Sequence, residues 1–213
     1  NHCTCIGCIR NDLHIVLHLF FQSNFKHFDE KNLFASLKPV IDIVLGTSVP
    51  VFIGLGKTVN DYGKILESYQ TAVIALQKLF FIGFDNMAVY QEKTPAETPF
   101  DENQIKLLEE HLNKNDRFKA IQVLNTIHQY LKNNPNMLVD KAKNIYIQVL
   151  TPIIKFINDF NLFDAGKELK RESVIISVLE AETLDKLYEI ASGLIEQAFQ
   201  NIELNKNTGF IVT

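Results

Sequence analysis

The chain has 213 residues, 46% of them hydrophobic and 22% charged, which supplies a packed core and is too balanced for a disordered segment. With 21 Lys and Arg against 25 Asp and Glu the formal charge is −4, which argues against a surface built to neutralise nucleic-acid phosphates or anionic lipid. The three cysteines all lie within Cys3–Cys8 and cannot staple a secreted fold; no leader is visible, and the apolar stretches fall short of the ~20 residues of a membrane span, so a cytoplasmic protein is expected. The chain starts at Asn1 without Met and is read as a piece of a longer protein.

Residues 2–9, HCTCIGCI, and 13–19, LHIVLHL, flank Arg10-Asn11-Asp12 and predict a hairpin, because Asn-Asp tolerates the left-handed conformations of tight turns. With Asn11 and Asp12 at the turn, Cys8 is expected opposite Ile15 and Ile6 opposite Leu17, with Cys5 and His18 together on the other face. From Asp29 to Leu45 apolar residues recur at helical spacing, with Asp29 as N-cap, Gly46 as stop and Pro39 as a kink or break. Pro50–Gly56 predicts a short strand ending in glycines. Asn60 or Asp61 then caps a helix running to about Phe81, Gly83 ends it, and Met87–Gln91 predicts a last strand. The order strand, strand, helix, strand, helix, strand makes an α/β layer of about 90 residues.

Lys93–Pro99 is polar with two prolines and is the expected boundary: subdomain 1–93, linker 94–100, helical subdomain 101–213. Beyond it Asp101 caps Ile105–Leu112, Asp116 caps Phe118–Leu131, and Leu138–Phe160 forms a third helix that Pro152 bends. A looser region around Ala165-Gly166 precedes an amphipathic helix from Thr183 to about Leu204. The Asn205–Thr213 tail shows no packing role.

The local chemistry is sparse. Gly54-Leu-Gly56-Lys57-Thr58 invites a phosphate-loop reading, but its spacing fits neither G-x-x-x-x-G-K-[ST] nor G-x-G-x-x-G, and two glycines closing a strand are ordinary turn punctuation. His2, Cys3, Cys5, Cys8, His14 and His18 have metal-ligand chemistry, yet strand alternation keeps any four from converging; Cys8 as a small core residue, with histidines on a half-covered sheet face, is the plainer reading. No Ser, His and Asp set suggests a triad, Ser48 and Ser68 lack a nucleophile elbow, and the carboxylates are scattered. Ile41–Leu45 and Val49–Val51 look superficially like receiver strands, but no acidic pair precedes Asp42 and no strand-end Lys follows. No catalytic, cofactor-binding or metal residues are therefore assigned, and no cofactor is expected.

Val51–Glu92 carries more information. A strand closing at Ile53-Gly54, then Ser68-Tyr69, Ala72, Ala75-Leu76 and Phe80-Phe81 in a helix, Gly83, and Val89-Tyr90 on a last strand resemble the GGDEF-like middle domain of YesN-type response regulators in the AraC transcription factor family. Gly83-Phe84-Asp85-Asn86 matches that fold's G-x-N turn. Ile9–Leu13 lies where the G-G-D-E-F signature would sit, with one acid and neither glycine. Cyclases need those glycines for the backbone to approach GTP and the acids to hold metal, so the resemblance implies no cyclase activity and no enzyme. The helices from Ile105 to Leu124 resemble the helical segment that follows in the same regulators.

The resemblance implies an α+β fold: a small antiparallel GGDEF-like sheet with packed helices, followed by an α-helical bundle. It implies a non-catalytic regulatory and dimerisation module of a two-component, AraC-type transcription regulator. Such a module is a homodimer that relays signal from a phosphorylated receiver to helix-turn-helix units, which alone touch DNA and lie outside these residues. Thr183–Leu204 is either the dimer interface or a helix closing the bundle core. The alternative is a small-molecule-sensing domain of a transcription regulator, with a pocket between the sheet and the helices.

Overall fold

The computed structural model describes residues 3–11, 14–21, 30–92, 98–160 and 171–208, and the fold is mixed α+β. It divides into two compact units, Asn1–Ser48 and Val49–Thr213.

In the first unit β1 (Cys3–Asn11) and β2 (His14–Phe21) form the expected antiparallel hairpin, in a different register. Cys8 pairs with Val16, Ile6 with His18 and Cys5 with Leu19, and the ladder is irregular between Ile9 and Asn11. A one-residue slip moves every side chain of a strand relative to its partner, so Cys5 and His18 lie on opposite faces rather than together. Helix α1 (Glu30–Leu45) runs unbroken through Pro39, which withholds only the one N–H that the Ala35 carbonyl would accept. The expected cap, Asp29, lies outside the described residues.

The second unit opens with β3 (Phe52–Leu55) and closes its α/β part with β4 (Asn86–Val89). These pair in parallel rather than within an antiparallel sheet, because a crossover helix returns the chain to the end where β3 began. That crossover is not the single helix expected. A 3₁₀ turn at Tyr62–Lys64, capped by Asp61 through the Gly63 N–H, leads into α2 (Ile65–Leu76); Gln77 and Lys78 break the run before α3 (Leu79–Ile82). Gly83 at φ 78° and Asp85 at φ 56° then turn the chain into β4, and the Asn86 side chain holds the turn by donating to the Ile82 and Phe84 carbonyls.

The remaining helices are α4 (Asn103–Asn113), α5 (Arg117–Lys132), α6 (Val139–Asp159), α7 (Arg171–Glu180) and α8 (Leu184–Thr208). Asp116 caps α5 through the Lys119 N–H as expected, and Asp101 accepts from the Asn103 N–H at the start of α4. Helix α7 was not anticipated. Its Val174 and Val178 join a core formed by Leu108, Leu124, Ile127, Val149, Ile153 and Ile157. Phe80 and Phe81 of α3 enter the same core, so the α/β part and the helices share one apolar interior. In the stripe of α8, Leu184, Leu187, Ala191 and Ile195 are buried in this core, while Ile190, Leu194 and Ile202 are half-buried beside it. Of the expected 94–100 linker, 94–97 lie outside the described residues, while Phe100 packs on Tyr130 at 5.2 Å between ring centroids. Among the described residues no helix is long and apolar enough to cross a membrane.

Candidate functional site

The glycine segment has a packing role. A Cβ on Gly56 would stand 2.0 Å from the Ser68 carbonyl oxygen, and one on Gly54 would stand 2.7 Å from that of Ala72. Both glycines let β3 lie against the backbone of α2; neither has the positive φ of turn punctuation. The groups a phosphate would need are committed elsewhere. The Lys57 N–H donates to Thr71 Oγ1 at 2.9 Å, and its Nζ pairs with Glu92 at 2.6 Å and Glu67 at 3.4 Å. Hydrogen bonds to Glu92 and then Glu67 raise the Lys57 pKa, and Lys57 in turn lowers that of Glu92.

Of the cysteine and histidine group, Cys5 and Cys8 are exposed free thiols. Among the described residues no cluster of His, Cys, Asp or Glu could hold a metal ion. Arg10 lies in β1 beside the ladder irregularity, and Asp12 and Leu13 lie outside the described residues.

A polar cluster that sequence reasoning did not single out joins α5, α6 and α8. His128 sits on the α5 stripe with Leu124, Ile127 and Leu131, and that placement on an apolar face was the available signal. Its Nε2 lies 3.0 Å from Asp185 Oδ1 and its Nδ1 lies 3.0 Å from the Tyr146 hydroxyl. A carboxylate only accepts, so Nε2 carries the proton of the neutral ring and Nδ1 accepts from the tyrosine O–H. Lys132 Nζ pairs with the same Asp185 oxygen at 2.7 Å, and the Tyr188 ring lies 4.8 Å from the imidazole. Asp185 stands in the first turn of α8, where the helix N-terminus favours a negative charge. Burial first, and then Lys132, lower the His128 pKa against the opposing pull of Asp185. Burial pushes the Tyr146 hydroxyl far above its ordinary range. At Asp185 burial acts upward, but the hydrogen bond and charge of Lys132, with His128, outweigh it and leave the pKa lowered. The arrangement looks like an acid–base relay, yet Tyr146 is fully buried and His128 is 5% exposed, so neither reaches a substrate. It locks three helices in register.

An open groove of about 710 Å³ runs between β4 and the α5–α6 turn. Met87, Ala88 and Val89 of β4, Asn133–Met137 of the turn, and Lys78 and Ile82 line it. The helical wall is braced by Asn134, whose Oδ1 accepts from Thr98 N–H and Oγ1 at 3.4 and 3.2 Å and whose Nδ2 donates to the Tyr130 carbonyl at 2.7 Å. Tyr130 completes the brace by donating its O–H to the Thr98 carbonyl at 2.6 Å. Comparison with protein-family models, with curated proteins and with solved structures finds no match to this chain.

Proposed function

We propose that the chain is the GGDEF-like, non-catalytic regulatory module of a two-component AraC-type transcription regulator, relaying signal between a receiver and a DNA-binding domain as a cytoplasmic homodimer. The observation that carries this reading is the β3–α2–β4 unit. The residues behind the resemblance have defined roles in it: Gly54 seats the strand on α2 under Ala72, Ala75 and Phe80–Phe81 are buried, and Gly83 and Asp85 make the turn before β4. In this reading Leu184, Leu187, Ala191 and Ile195 of α8 are spent inside the protomer and do not hold the homodimer.

Incubation of the chain with GTP and Mg²⁺, followed by chromatography of the nucleotides, is expected to return GTP alone; a cyclic dinucleotide product would overturn the non-catalytic assignment. Sedimentation equilibrium is expected to show a dimer, and a strict monomer at high concentration would count against a self-sufficient dimer module. The ligand-sensing alternative draws on the groove at the junction of β4 and the helices. A rise in melting temperature with a nucleotide or sugar would favour it.

A further inference from the structure

We propose that the groove beside β4 receives an extended, acidic peptide segment of a partner protein, which adds as a third strand on the free edge of β4. Among the described residues β3 and β4 form a two-stranded sheet, so one edge of β4 pairs with β3 and the other has no strand on it. Three successive residues of β4 line the groove. Successive strand side chains point to opposite faces, so what Met87, Ala88 and Val89 present together is the backbone edge. A ligand with alternating N–H and C=O groups matches such an edge, and that ligand is a peptide chain.

The rest of the lining fits the same occupant. Gln91, Asn133 and Asn136 bring side-chain amides that make no hydrogen bond within the described structure, and an amide both donates to and accepts from a peptide group. Asn134 is engaged in the brace with Thr98 and Tyr130, so the wall is preorganised. Lys78 is the one charged side chain among the described lining residues, and no carboxylate opposes it there. The nearby Glu92 is held by Lys57. A single positive charge in an otherwise neutral lining selects an acidic side chain or a carboxyl terminus. Met87, Val89 and Met137 supply apolar surface for alternate side chains.

The test uses the full chain and fluorescein-labelled octapeptides of alternating Val and Thr. One ends in Glu-Glu, one in Lys-Lys, and one is the acidic peptide N-methylated at every second residue. Fluorescence anisotropy is expected to show saturable binding of the acidic peptide, with the basic and the N-methylated peptides each weaker by about tenfold or more. Amide shifts of ¹⁵N-labelled protein are expected to cluster on Asn86–Val89 and Asn133–Met137. Lys78→Glu is expected to reverse the preference between the acidic and basic peptides. Equal binding of the acidic and basic peptides, unchanged binding after N-methylation, shifts centred away from β4, or no binding of any peptide at millimolar concentration would each overturn the proposal. Displacement of the acidic peptide by glucose or a nucleotide at equal concentration would overturn it in favour of a small-molecule pocket.

Discussion

Protonating His128 puts a second N–H where the ring must accept. Nδ1 takes the Tyr146 proton at 3.0 Å, so a charged imidazole would turn that contact donor to donor until the hydroxyl rotated, in a site closed to water. The folded-state pKa of His128 lies below the ordinary 6.5, so between that lowered value and 6.5 the unfolded chain binds the extra proton and the folded chain does not. The stabilisation is therefore complete above pH 6.5 and declines as pH falls toward the folded-state pKa. Urea midpoints measured from about pH 8 down to about pH 5 should fall, and His128→Gln should flatten that slope. Tyr146→Phe leaves Nδ1 buried without its donor and should cost about 1–3 kcal/mol at neutral pH. At β3, Gly56→Ala drives a methyl into the Ser68 carbonyl and should destabilise by about 1–3 kcal/mol, whereas Gly193→Ala, on α8 with open space around it, should stabilise by about 0.5–1 kcal/mol. The pair separates close packing from helix propensity in one set of denaturation curves. The sequence read Gly54 and Gly56 as turn punctuation, and their true role escaped it because the distance from β3 to α2 is a tertiary quantity. The His128 cluster was equally hidden, because its members are brought together from three helices.

Helices with a clear apolar period were legible. The expected spans of α1, α4, α5 and α6 agree with the observed ones to within a few residues, because Asp caps, glycine stops and the 3.6-residue period act locally. Helix α7 escaped because Arg171–Glu180 holds its apolar residues as a run, Val174-Ile175-Ile176, which reads as well as a strand, and only the seat of Val174 and Val178 in the core fixes it as helix. The hairpin was legible as a hairpin but not in register, because the irregularity between Ile9 and Asn11 has no signature in Arg-Asn-Asp. For α8 the sequence left two readings, interface or core, since an amphipathic stripe does not name what covers it. Ile195 is fully buried within the protomer, so Ile195→Ala should lower stability by about 2–5 kcal/mol while leaving the dimer dissociation constant in sedimentation equilibrium unchanged. A weakened dimer in that variant would mean that the stripe also serves association.

The whole chain pairs a small first unit with a second that holds one continuous core. A hairpin and one helix expose much apolar surface, including Ile9, Ile15, Ile43 and Val44, and among the described residues the buried core lies wholly in the second unit. The fragment 49–213 should accordingly fold alone and keep the main calorimetric transition of the full chain; loss of cooperativity in that fragment would show that the first unit is required. The two sheets also differ in how far apart in sequence their partners lie. In the hairpin Ile9 meets Ile15 across a turn, whereas the link between Val51 and Asp85 that starts the parallel pair joins positions 34 apart. Loop closure of that length follows formation of α2, so the hairpin is an early event and the parallel pair a late one. During synthesis Phe52–Leu55 waits with both edges open until Val89 has left the ribosome, and that interval is when a chaperone or a neighbouring nascent chain has its best access to this protein.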